Sequence, residues 1–274
     1  GTVIMKVVIV GGVAGGATLA TTFLVNNPLE QFEINDFVFI LAPIFGFTKL
    51  SLTNIGFYLI MVVTVTIGMN VLSRNNGYVI PSRWAIHSES VYGSILNLVR
   101  EQIGPKNEVY VPLIFTLFNF VLVSNLIGLV PYSFTTTSHL ILTIGLATAI
   151  LIGVTIIGFQ RHGLGFFAFF IPAGTPLALV FLLVAIELIS YLARAVSLGV
   201  RLGANMIAGH SLLKIISTFT AKMVIAGPLL LLVSLLPLLF LTALTGLEFG
   251  IAVLQSYVFT ILTCSYLKDA IDLH

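Results

Sequence analysis

Residues 176–225 read PLALVFLLVAIELISYLARAVSLGVRLGANMIAGHSLLKIISTFTAKMVI, and residues 228–272 read PLLLLVSLLPLLFLTALTGLEFGIAVLQSYVFTILTCSYLKDAID. Thr175-Pro176 is a helix N-cap followed by proline at the first helical position, and no further proline comes before Pro228. At a rise of 1.5 Å per residue the two stretches predict helices of about 75 and 67 Å. A bilayer core is only ~30 Å thick. Each segment must therefore break, at Gly199, Gly203 or Gly209, or lie strongly tilted. Gly227-Pro228 is the natural turn between them, and Pro237 should kink the second because it removes a backbone donor.

The rest of the chain agrees with a membrane setting. Of 274 residues, 58% are hydrophobic and 8% charged, with 12 Lys+Arg against 10 Asp+Glu. So few charges cannot cover a soluble domain. A soluble enzyme, a disordered chain and a nucleic-acid binder are excluded, and Cys264, the sole cysteine, excludes an internal disulfide or a cysteine metal site. Long uncharged runs rich in Leu, Ile and Phe indicate helices rather than the alternation of a barrel. The expected fold class is an all-α membrane protein.

Residues 7–29, 50–73, 109–160, 223–247 and 249–267 hold no Asp, Glu, Lys or Arg. They predict spans at about 50–72, 110–130 and 139–160, the last two divided by Pro131 and the polar stretch Ser133–Ser138. Over 82–103, Trp84, Val91, Ile95, Leu98 and Val99 recur at helical spacing. This predicts an amphipathic helix, lying on the membrane surface or packed against another subunit. Residues 27–274 are expected to form one polytopic domain. Residues 1–26 are read as a leader or an extra apolar segment. Their GGVAGG cluster resembles a dinucleotide fingerprint, but Val13 occupies the middle glycine position and no βαβ pattern follows. Arg74, Arg83, Arg100, Lys106 and Arg161 lie in the 73–108 and 161–165 loops, whereas Lys49 stands alone in 26–50 and 131–138. That asymmetry places the first set of loops on the positive-inside face.

Ionisable groups inside apolar helices are costly and usually mark ion or proton paths. Glu187, Arg194 and Arg201 recur at seven residues, so they share one helix face, which Asn205 and Ala208 extend. Glu248, Gln255 and Asp269 recur at 7 and 14 on the second segment. His210, Glu187, Glu248 and Asp269 can exchange protons. Arg201 cannot, because its guanidinium stays protonated. Its negative partner must be Glu248 or a group on another chain. His139 starts a span beside the polar loop and reads as interfacial. Lys214, Lys222, Lys268 and His274 lie near possible segment ends, where they can snorkel to water.

The stretch SYLARAVSLGVRLGANMIAGH at 190–210 closely resembles the subunit a family of the mitochondrial F-type ATP synthase, whose pattern SLGxRLxxNxxAGH is long and specific. Further matches are NPLEQFEI at 27–34, SRW at 82–84, FTLFNF at 115–120, NLIGLVPYSF at 125–134, PAGTP at 172–176 and LEFGIAVLQSYVFTILTCSYLKDA at 247–270. The resemblance covers about 27–274. It implies a non-catalytic proton-channel stator in the mitochondrial inner membrane, without a cofactor, facing a rotating ring of c subunits. Other expected partners are the peripheral stalk, further membrane-sector subunits, lipid and protons, with no nucleic acid. It also implies that Arg201 faces the ring carboxylate. Asn205, His210, Glu248 and Gln255 would line the outer half-channel and Glu187 and Asp269 the matrix one, with Arg194 on the same face. The two long segments would form a hairpin lying nearly flat around the ring. No phosphate-binding loop is present, so ATP chemistry would belong to other subunits. A proton-coupled secondary transporter lacks support because no internal repeat is visible. A quinone-linked subunit lacks a haem-spaced histidine pair.

Overall fold

The computed structural model describes residues 6–9, 29, 32–34, 36–41, 50–74, 79–130, 134–171, 174, 176–225 and 228–272. Three short strands come first: β1 (Lys6–Ile9), β2 (Asp36–Leu41) and β3 (Leu50–Thr53). They form an antiparallel sheet in the order β1-β2-β3, with Lys6 opposite Leu41 and Val38 opposite Leu52. Val, Ile and Phe favour this extended pleated backbone. Most of 1–26, read as a leader or extra apolar segment, lies outside the described residues, as do Thr175, Gly227 and His274. Residues 50–53, expected at the start of the first span, are strand instead.

Six helices follow. α1 (Asn54–Leu72) begins where Thr53 ends the sheet, and the Thr53 hydroxyl accepts from Gly56 N at 3.4 Å. Asn54 Nδ2 donates to Glu33 O at 2.8 Å, tying the helix start to the preceding chain. α2 (Arg83–Gln102) is the amphipathic helix, capped by the Ser82 hydroxyl, which accepts from Ala85 N at 3.2 Å. α3 (Val111–Gly128), α4 (Leu140–His162), α5 (Leu177–Ile225) and α6 (Pro228–Ile271) complete the chain. Among the described residues, five helices are long and apolar enough to cross a membrane.

α2 turns Ile95, Leu98 and Val99 into a core shared with Val111 and Ile114 of α3 and Cys264 and Leu267 of α6. Its buried face is thus covered by this same chain. Trp84, grouped with that face in the sequence reading, is exposed, and Ala85 is buried instead. Trp84 keeps the register of Ile95, three turns further on, but stands in the first turn of the helix, away from the core that Ile95, Leu98 and Val99 share.

α5 is one continuous helix of 49 residues and α6 one of 44. None of the three glycines breaks α5, so the tilted alternative stands. Two of them serve close packing. A Cβ at Gly199 would lie 2.7 Å from Ile144 Cα, and one at Gly203 would lie 2.8 Å from Leu140 Cδ2. The pair, four residues apart, lets α4 and α5 meet almost backbone to backbone, the small-residue device of membrane helices. α6 runs back along α5 and also packs on α3, while α1 packs on α3.

Candidate functional site

The polar stripes of α5 and α6 meet because the two helices form an antiparallel hairpin. Toward the start of α5, Arg194 Nη1 donates to Asp269 Oδ2 at 2.9 Å, and Arg194 Nη2 lies 3.9 Å from Glu187 Oε1. Its guanidinium also sits 5.9 Å from the Tyr266 ring centroid. One cation therefore bridges two carboxylates from different helices. The Arg194 and Asp269 side chains are 27% and 34% exposed, so the cluster is only partly shielded.

The second cluster lies further along α5. His210 Nδ1 approaches Glu248 Oε1 at 3.3 Å, with side-chain exposures of 12% and 4%. The distance is that of an ion pair, yet neither Glu248 oxygen is aligned for a hydrogen bond to any described group. Gly209 makes room for the acid, because a Cβ there would stand 2.9 Å from Glu248 Oε1. On its other side, His210 Nε2 lies 3.1 Å from the Thr135 hydroxyl, which donates to Gly128 O at 3.3 Å. A carboxyl group this deeply buried is held in a site where its charge depends on its neighbours.

Arg201 stands between the clusters on α5. It is exposed, and among the described residues it makes no ion pair or hydrogen bond. Of the two partners left open by the sequence, Glu248 is directed to His210 instead. By helical rise Arg201 is about 10 Å from Arg194 and about 13 Å from His210 along the axis. Asn205 is half-buried and Gln255 is buried. Ser256, Thr260 and Thr263 continue the buried face of Gln255, each hydroxyl bonding back to a carbonyl of its own helix.

The sequence reading missed the 134–139 segment as part of the site. Thr135, Thr136, Thr137 and Ser138 are all buried. The Thr136 and Ser124 hydroxyls share a hydrogen bond of 2.6 Å. Asn125 Nδ2 donates to Ala252 O at 3.3 Å. Asn125 Oδ1, Thr137 Oγ1, His139 Nε2 and Ser211 Oγ join the Glu248 oxygens as buried polar atoms without a partner among the described residues. His139, read as interfacial, is half-buried and stacks on Phe134 at 5.0 Å. The run of hydroxyl residues after a proline was the available signal, but it reads equally well as a solvated loop. Among the described residues no group of His, Cys, Asp and Glu could hold a metal ion.

The family is decided by a profile match. The profile described as ATP synthase A chain matches residues 55–268. The chain belongs to that family. It is 50% identical over 252 residues to a protein of Mycosarcoma maydis named ATP synthase subunit a, covering 92% of this chain and 99% of that one. A Podospora anserina protein of the same name is 50% identical over 250 residues, covering 91% and 95%. One from the alga Chondrus crispus is 48% identical over 260 residues, covering 93% and 100%. The family match takes in α1 from its second residue, α2 to α5 and most of α6, and so every residue of both clusters except Asp269, which follows its last residue.

Proposed function

We propose that this chain, a multi-pass membrane protein of the ATP synthase A chain family, is the stator that conducts protons past a rotating ring of c subunits in the mitochondrial inner membrane. His210 and Glu248, with Asn205 and Gln255, serve the half-channel from the outer side. Glu187 and Asp269 serve the half-channel to the matrix. Arg201 is the fixed charge between them. The observation that carries this reading is the exposed, unpaired Arg201 set between two acid clusters on one helix pair.

Elementary electrostatics then gives the cycle. A ring carboxylate that takes a proton from the His210–Glu248 side becomes neutral and can face lipid. On reaching the Glu187–Asp269 side it loses that proton. The carboxylate so formed is attracted to Arg201, which holds it ionised and, being unable to release its own proton, prevents direct passage between half-channels. Arg194 keeps Glu187 and Asp269 together at the exit. Each proton moved across the potential supplies ~2.3 kcal/mol per 100 mV. The unpartnered polar atoms around Thr137, Ser211 and Glu248 suit an aqueous approach from the outer side.

Unbroken helices of about 74 and 66 Å fit a ~30 Å core only when strongly inclined, which suits a hairpin wrapped beside a ring. The ring, the peripheral stalk and the other membrane-sector subunits are the partners this reading requires. Catalysis of ATP formation lies elsewhere in the complex. The test is ATP synthesis and proton flux in membranes bearing an assembled Arg201→Ala complex. Lost synthesis is expected, and normal synthesis would overturn the reading.

A further inference from the structure

Thr135 makes two contacts through one hydroxyl. A threonine hydroxyl owns a single proton and two lone pairs. Its oxygen lies 3.3 Å from Gly128 O and 3.1 Å from His210 Nε2. Gly128 O sits at the last turn of α3, where carbonyls lack a partner within the helix, and a carbonyl can only accept. With the hydroxyl proton directed to Gly128 O, only a lone pair remains for His210. Nε2 must then carry the hydrogen, and in neutral His210 the bare nitrogen is Nδ1, the atom 3.3 Å from Glu248 Oε1.

We propose that Thr135 is a positioning residue that locks His210 in the Nε2–H tautomer, so that His210 and Glu248 together hold one exchangeable proton between Nδ1 and Oε1. The inference rests on the reading of these two residues as part of the outer half-channel. Nδ1 and Oε1 stand within ion-pair range but are not aligned as a hydrogen bond, so a turn of the carboxyl group brings its proton onto Nδ1. In the step itself the O–H bond of the protonated Glu248 breaks and an N–H bond forms at Nδ1. The products are a carboxylate and an imidazolium, and the reverse step restores the neutral pair. The Nε2 hydrogen takes no part, because the hydroxyl it faces has its own proton engaged by Gly128 O.

Two glycines hold this arrangement. A Cβ on Gly128 would come within 2.6 Å of Thr135 Cγ2 and 2.8 Å of its hydroxyl oxygen, and a Cβ on Gly209 within 2.9 Å of Glu248 Oε1. The backbone thus leaves space at both outer sides of the pair, for the Thr135 hydroxyl and for the carboxylate.

The test is solid-state 15N NMR of the intact complex in membranes, with histidine labelled and His210 assigned by difference from His210→Ala. In the neutral form, Nε2 should give a protonated (pyrrole-type) signal and Nδ1 a bare (pyridine-type) one. Thr135→Val should mix the tautomers and lower proton-driven ATP synthesis roughly 2- to 10-fold, the effect of one lost hydrogen bond. Thr135→Ser should recover the single tautomer and most of the rate. Gly128→Ala, which alters neither partner, should reproduce the Thr135→Val spectrum. A protonated Nδ1 in the neutral wild-type residue overturns the proposal, and so does a Thr135→Val spectrum identical to wild type. If Glu248→Gln and His210→Ala leave synthesis intact while the tautomer is as described, the half-channel reading fails instead. Should Thr135→Val not assemble, the wild-type spectrum still decides.

Discussion

Arg194 and Asp269, 75 residues apart, meet at 2.9 Å across α5 and α6. The contact requires the hairpin to close in one register, and it joins Glu187 to the same guanidinium at 3.9 Å. Arg194 shares its helix face with Arg201 but not its situation, because one is paired and the other is not. A double-mutant cycle should therefore give a coupling of about 1–2 kcal/mol between Arg194→Ala and Asp269→Ala in the thermal stability of the assembled complex. Strictly additive losses would mean that the contact is not formed.

Gly199 separates two kinds of glycine in this chain. A methyl group there would press on the backbone of Ile144 at 2.7 Å, whereas at Gly68 it would meet nothing within 4 Å. Gly199→Ala should cost about 1–3 kcal/mol of stability through separation of α4 and α5, and Gly68→Ala should be neutral or slightly stabilising. Thermal inactivation of both variants checks this, and equal midpoints would contradict the packing described.

Membrane orientation follows from the placement of lysine and arginine. Cys264 is fully buried, so single cysteines can be introduced without removing it. Val79 and Val130 are 97% and 56% exposed, one before α2 and the other after α3. Val79→Cys should react with an impermeant thiol reagent from the matrix side only, and Val130→Cys from the outer side only. Labelling of both from one side would reverse the proposed topology.

The helices were legible in the sequence because apolar runs without charge have few alternatives in a bilayer. The lengths of α5 and α6 were legible for the same reason, down to the question of how they fit. Which glycine would break α5 was not, because a glycine that kinks a helix and one that admits a neighbour look alike until the neighbour is placed. Glu248 could be picked out as a buried acid, but His210 as its contact could not, since the approach depends on the missing side chain of Gly209. Thr135 was hidden further, its contact with His210 spanning 75 residues. The pairing of β1 with β2 is likewise a long-range choice that strand propensity does not determine.

Glu248 and His210 are expected to act as a unit. Glu248→Gln and His210→Ala should each lower proton-driven ATP synthesis about 10-fold or more, and the double variant should lose little beyond the worse single. Glu248→Gln should leave the complex assembled, because glutamine keeps the volume of the acid, and complex content is matched for His210→Ala. Rates measured in membranes with matched complex content test this. Multiplicative losses would place the two residues on separate paths.

The role of Arg201 as the fixed charge is tested by pairing ATP synthesis with passive proton conduction in the same Arg201→Ala membranes, after assembly has been verified. On the proposed mechanism, synthesis and ATP-driven pumping should be abolished while protons still cross, because removing the fixed charge joins the two half-channels without turning the rotor. Arg201→Lys should restore little, since an ammonium lacks the planar fork and can release its proton. Normal synthesis in an assembled Arg201→Ala complex would show that no fixed charge at this position separates the two paths.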